Sequence, residues 1–162
     1  MANILVVDDE LGIREGCRRV LMLEGHNVET ADGAEPALAW IEWQGGKVDL
    51  VLLDVKMPGM SGIDMLDAIR QLDADLVTVM ITGFATLETA IEGTKRGAYD
   101  FLPKPFTPDE LLAKVGKALE RRSLLCEARR LREERERRLL EIATEKSRLR
   151  TIINCMADGV LV

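Results

Sequence analysis

Five short segments, at 3–8, 27–31, 48–54, 76–82 and 99–103, constrain this chain more than anything else in it. Most are unbroken runs of Val, Ile and Leu rather than alternating ones, the composition of strands covered on both faces. Helical patterns separate them at about 11–24, 34–44, 62–72 and 86–96. In the first, Leu11, Val20, Leu21 and Leu23 supply an apolar side, and Arg14, Arg18 and Arg19 a wet one. Gly25, Gly45-Gly46 and Gly97 follow the ends of these patterns, where a left-handed residue closes a helix. Strict βα alternation demands right-handed crossovers. It predicts a parallel, doubly wound α/β sheet of five strands within about 120 residues.

The polar residues that end these runs are the candidate chemistry. Asp8-Asp9, Asp54, Thr82 and Lys104 close the first, third, fourth and fifth. Downstream strand ends of an open parallel sheet lie side by side and form the ligand crevice. Carboxylates of Asp8, Asp9 and Asp54 are hard oxygen donors that suit Mg2+. Three so close repel one another, so at least one should titrate abnormally. Asp54 is also a candidate nucleophile able to form an aspartyl-phosphate. Lys104, the Thr82 hydroxyl and amides near Gly83 are placed to stabilise the transferring phosphoryl group. Pro58, Gly59 and Gly62 predict a sharp loop over the site, and Lys104-Pro105 is a candidate cis bond. Taken singly, each residue has a plainer explanation as a turn, cap or surface group. Suitable residues at the downstream ends of four strands make a specific combination.

The fifth helix opens at Thr107-Pro108-Asp109-Glu110, with a Thr cap, Pro at the first position and acids in the first turn. From Glu110 to about Met156 there is no proline and only Gly116 among the glycines. Steps of three and four give Leu125, Ala128, Arg132, Arg135, Leu139, Ile142, Lys146, Leu149, Ile153 and Met156. Seven of these ten are apolar, which predicts a two-stranded coiled coil over 121–153 with three basic interruptions. At 154–162 an Asp158-Gly159 turn and a new apolar run are expected, the favoured reading being the truncated start of a further domain and the alternative a final strand added to the sheet.

Composition narrows the class. Residues 1–120 hold 21 acids and 11 bases, and 121–162 hold 7 acids and 11 bases. The basic residues between Arg121 and Arg138 alternate with Glu127, Glu133, Glu134 and Glu136, so they read as a solvated helix face rather than a nucleic-acid stripe. Cys17, Cys126 and Cys155 form neither a metal pattern nor a disulfide framework, in keeping with a reducing cytoplasm. No stretch approaches the ~18–20 apolar residues of a membrane span. The single histidine, His26, reads as a turn residue and not a phosphoryl carrier.

Val-Val-Asp-Asp-Glu at 6–10, Leu-Leu-Asp-Val-Lys-Met-Pro-Gly-Met-Ser-Gly at 52–62, Ile-Thr-Gly at 81–83 and Lys-Pro-Phe at 104–106 resemble, in order, the response-regulator receiver domain of two-component signalling. The resemblance implies a flavodoxin-like sheet of order 2-1-3-4-5 over residues 1–120. It implies that Asp54 is the phosphoacceptor, with phosphate coming from a histidine kinase or phosphotransfer protein. It further implies Mg2+ held by Asp9, by Asp8 mainly through water, by Asp54 and by the Lys56 backbone carbonyl, with Thr82 and Lys104 on the phosphoryl group. Thr82 and Phe101 would be the switch pair; tyrosine is frequent at the latter position, and Phe lacks its hydroxyl. Plain strand core is an equal reading of Phe101. Lys56 and Phe84 would flank access. The run from Thr82 to Phe106 is similar to nitrogen-regulation receivers, which pair through their fourth and fifth units, and 149–162 resembles the opening of a PAS domain. Two alternatives remain: a vestigial receiver acting as a constitutive dimerisation scaffold, and the receiver module of a larger PAS-containing sensor kinase. A haloacid-dehalogenase-type phosphatase would need an acid two residues after Asp54, where Lys56 stands. The implied protein is thus a cytoplasmic, non-enzymatic phosphoacceptor and homodimer, with this fragment contacting neither nucleic acid nor membrane.

Overall fold

The structure is a computed structural model that describes the backbone of residues 1–83 and 87–160 and the side chains of 1–83 and 87–153. The chain alternates strand and helix throughout: β1 (Asn3–Val7), α1 (Leu11–Leu23), β2 (Asn27–Ala31), α2 (Ala34–Gln44), β3 (Leu50–Asp54), α3 (Gly62–Leu72), β4 (Val77–Thr82), α4 (Leu87–Lys95), β5 (Asp100–Pro103) and α5 (Pro108–Val160). The strands form one parallel sheet of order β2-β1-β3-β4-β5. This is the flavodoxin-like arrangement expected from the sequence. The chain divides into two compact units, Met1–Leu124 and Leu125–Val162.

Burial explains the strand compositions. Every residue of the inner strands β3 and β4 is buried, and four of the five in β1. Helices cover both faces, so a polar residue on either would lose its water without compensation. The edge strand β2, Asn-Val-Glu-Thr-Ala, is half wet and alternates accordingly. The order places β1 and β3 side by side, with Val7 opposite Leu53, so the downstream ends carrying Asp8 and Asp54 are neighbours.

Helix ends follow their chemistry. Gly25, Gly45, Gly46 and Gly97 all have positive φ, as their positions after helical patterns require. Thr107 Oγ1 accepts from the Glu110 amide at 3.2 Å, and Glu110 Oε2 accepts from the Thr107 amide at 3.4 Å, a reciprocal cap for α5.

Two expectations are corrected. On α1 the inward residues are Cys17 and Leu21, whereas Leu11 and Leu23 are exposed. Residues two apart on a helix point roughly 200° apart, so Leu21 and Leu23 cannot share a face. Arg14 is half-buried rather than wet. The second concerns Asp158-Gly159: α5 runs through it to Val160 without a turn. Each added helical residue makes a backbone hydrogen bond, while a lone glycine costs only about 1 kcal/mol. Leu161 and Val162 lie outside the described residues.

Candidate functional site

Asp8 follows the last residue of β1, and its position is fixed from all sides. Its amide donates to the Ala31 carbonyl at 3.2 Å, and its own carbonyl accepts from Arg14 Nη1 at 2.7 Å. Its Oδ1 accepts from the Glu10 amide at 2.9 Å, and Oδ2 accepts from Lys104 Nζ at 2.9 Å. The carboxylate is buried, so the ammonium is its main compensation.

Lys104 joins the two inner strand ends. Its Nζ lies 3.6 Å from Asp54 Oδ2 and 3.6 Å from Glu10 Oε1, in addition to its bond with Asp8. Burial alone would lower its pKa. The hydrogen bond to Asp8 and the charges of Asp8, Asp54 and Glu10 outweigh that and raise it. The loop carrying it is tied down by its amide, which donates to the Thr82 carbonyl at 2.8 Å, and Lys104-Pro105 is cis.

Asp54 closes β3 and is buried, with Oδ1 accepting from the Lys56 amide at 3.4 Å. Its carboxyl is pushed up from 3.8 to about 6, chiefly by burial and next by the Asp8 charge, against the opposing pull of Lys104. The abnormal titration expected of the cluster therefore falls on Asp54. Gly62 has no room for a side chain, because a Cβ there would run into the Asp54 carbonyl oxygen. The start of α3 thus presses directly against the backbone that carries the nucleophile candidate.

Carboxylate oxygens of Asp8, Asp9 and Glu10 lie within 4.8 Å of one another. Asp54 stands outside that triplet and is joined to it by Lys104. Glu10 is the residue that sequence reasoning left without a role, although it closes the Val-Val-Asp-Asp-Glu motif. The donor set suits a hard divalent cation: clustered carboxylate oxygens facing a single ammonium leave negative charge uncompensated. Beneath Asp8, Cys17 is buried, and its thiol is pushed up to about 11 by burial and then by Asp8, so it is unreactive near neutrality. A groove of about 480 Å³ adjoins Glu10 and Lys104, walled by Ile13, Cys17, Val20 and Phe106.

Thr82, the last residue of β4, is buried beside these ends. Phe101 is half-buried and packs on the core. A Cβ on Gly93 of α4 would come within 2.6 Å of its ring, so this glycine makes the seat for Phe101. A glycine inside a helical pattern was the available signal for that contact. The Lys56 side chain is exposed, and Phe84 lies outside the described residues. His26 accepts from the Ala2 amide at 3.4 Å, as a turn residue does.

Such a cluster on such a sheet defines a receiver. The family model described as "Response regulator receiver domain" matches residues 4–116, and the chain belongs to that family. It is 39% identical over 132 residues to the C4-dicarboxylate transport transcriptional regulatory protein DctD of Pseudomonas aeruginosa, covering 80% of this chain and 28% of that protein. It is 38% identical over 133 residues to the nitrogen assimilation regulatory protein NtrX of Azorhizobium caulinodans, covering 81% and 29%. Among solved structures, the receiver domain of NtrX from Brucella abortus superposes with a TM-score of 0.68 at 43% identity, covering 72% of this chain and 98% of that one. A CheY-like receiver domain protein from Methanospirillum hungatei gives 0.71 at 33% identity, covering 76% and 97%. The chain spans under a third of the length of these curated regulators. Receiver domains of this family take phosphoryl groups from histidine kinases and are generally Mg2+-dependent. No helix among the described residues is long and apolar enough to cross a membrane.

Proposed function

We propose that Asp54 is the phosphoacceptor of a two-component phosphorelay. The observation that carries this is the contact of Lys104 Nζ with both Asp8 and Asp54 at the mouth of the sheet. Although raised to about 6, the pKa of Asp54 stays below neutrality, so the carboxylate is available as a nucleophile. In the transfer, an Asp54 carboxylate oxygen forms a bond to phosphorus as the P–N bond of a phosphohistidine breaks. The departing imidazole nitrogen keeps the bonding pair and takes a proton. Lys104 balances charge on the phosphoryl oxygens, and the Thr82 hydroxyl donates to one of them. Asp8, Asp9 and Asp54, with the Lys56 carbonyl, would hold Mg2+, which when bound offsets negative charge on the phosphoryl group. Glu10 joins this set by its place in the carboxylate triplet.

The donor is a histidine kinase or phosphotransfer protein. The apolar groove adjoining Lys104 gives such a partner a grip close to Asp54. Drawing Thr82 toward the phosphoryl group frees space that Phe101 enters, so the switch works by burial of the ring. The output passes to a homodimer formed through the fourth and fifth units and through a coiled coil over 121–153. The protein acts in the cytoplasm as a switch and turns over no substrate apart from its own phosphoryl group.

Titration with Mg2+ and beryllofluoride, followed by NMR of backbone amides, tests this reading. The amides of Asp54, Thr82 and Lys104 should shift at one equivalent of bound probe. Unchanged spectra, or the same changes in Asp54→Ala, would refute it.

A further inference from the structure

On a helix wound at about 3.5 residues per turn, a two-stranded seam uses two adjacent rows of residues spaced seven apart. Helix α5 offers three such rows beyond the receiver. The middle row is Ala128, Arg135, Ile142 and Leu149. One flank is Leu125, Arg132, Leu139, Lys146 and Ile153; the other is Leu124, Leu131, Arg138, Glu145 and Ile152. The middle row combined with either flank gives nine seam positions, six apolar and three charged. By apolar content the two seams are equal. Leu124, Leu131, Leu139, Ile142, Leu149, Ile152 and Ile153 are all more than half exposed, so neither seam is consumed within the chain.

The charges fit both choices when a second copy lies parallel. With the first flank inside, Glu145 falls at a position that faces the partner's Arg150. With the second inside, Glu127 faces the partner's Arg132 and Glu141 faces the partner's Lys146. Arg132 and Lys146 obstruct the first seam and become outer salt-bridge partners in the second. Glu145 interrupts the second seam and becomes a salt-bridge partner in the first. Arg132, Lys146 and Glu145 each cost one arrangement stability and contribute to the other, whereas Arg135 interrupts both and Arg138 only the second.

We infer that α5 pairs with a second copy of this chain through two interchangeable seams, and that the phosphorylation state of the receiver selects between them. The change is a rotation of each helix by about 50°, half the ~100° step between neighbouring residues at 3.5 per turn. Long Arg and Lys side chains make both states accessible, because their stems pack while their charged ends reach water. The inference rests on the dimer proposed above.

Disulfide trapping in the full 162-residue chain tests it, with Cys126 and Cys155 replaced by serine and the buried Cys17 retained. Single cysteines are placed at Ile142 in the shared row, at Leu139 in the first flank and at Leu131 in the second. Each variant is oxidised with and without Mg2+ and beryllofluoride. Ile142→Cys should cross-link in both conditions. Leu139→Cys and Leu131→Cys should change several-fold in opposite directions. If those two move together, stay constant, or only one ever cross-links, the two-seam inference is overturned while the dimer stands. If Ile142→Cys fails to cross-link in both conditions, the coiled-coil dimer itself is wrong.

Discussion

Residues 1–124 and 125–160 dispose of their apolar side chains in opposite ways. In the first unit Val, Ile and Leu of β1, β3 and β4 are almost wholly buried against one another and against helices of the same chain. In the second, Leu131, Leu139, Leu140, Ile142, Leu149, Ile152 and Ile153 all stand in solvent. One sequence pattern is satisfied internally, and the other is not. A buried residue has a single best environment, so the receiver's geometry is fixed closely enough to set Lys104 2.9 Å from Asp8 and 3.6 Å from Asp54. An exposed row has no such constraint, and it leaves room for alternatives that a partner and a phosphoryl group can choose between.

The contrast breaks most readily at the tight end. Gly62→Ala drives a Cβ into the Asp54 carbonyl, so the receiver should lose about 3 kcal/mol of stability in urea unfolding and lose phosphoacceptance with it. Preserved stability would mean that the loop from Val55 to Ser61 yields without cost. Lys104→Ala leaves Asp8 buried without its ammonium and removes the charge beside Asp54. Phosphorylation by a small-molecule donor should slow by about 100-fold, a loss read from single-turnover kinetics.

Asp54→Asn separates function from stability. The folded pKa of about 6 exceeds the ordinary 3.8, so the native state holds its proton more tightly than the unfolded chain does. Wild-type stability is therefore reduced above about pH 6, and the reduction disappears below about 3.8. Two units correspond to about 3 kcal/mol, a net figure that already includes the opposing pull of Lys104. Asp54→Asn should thus be about 3 kcal/mol more stable at pH 7 and equal to wild type near pH 3.5. Parallel denaturation curves at the two pH values check this, and a gain that persists at low pH would assign it elsewhere. The smallest stability effect is at the loose end. Leu149→Lys should abolish self-association in sedimentation while changing receiver stability by less than about 0.5 kcal/mol.

What could be read in the sequence follows the same division. β3 and β4 were legible because burial on both faces favours apolar residues, buried Thr78 apart, and the four strand-end polar groups stood out against them. The order of the sheet came with the receiver resemblance, whereas the meeting of Asp8, Asp54 and Lys104 was expected from their places at the strand ends of a parallel sheet. Glu10 was missed because a third consecutive acid at a helix start reads as a solvated cap until Lys104 is seen 3.6 Å away. Gly93 was missed because its reason is a ring from another element. The face of α1 was misread where leucines two apart were assigned to one side, and Cys17 took the inward place. The Asp158-Gly159 turn failed because local turn chemistry does not outweigh continued helical hydrogen bonding.

The central claim is that the strand-end cluster makes Asp54 chemically able to take a phosphoryl group. Intact-mass measurement after incubation with acetyl phosphate and Mg2+ asks this directly. One added phosphoryl group is expected on the wild-type chain, none without Mg2+ and none on Asp54→Ala. An unlabelled wild type, or equal labelling of Asp54→Ala, would contradict it.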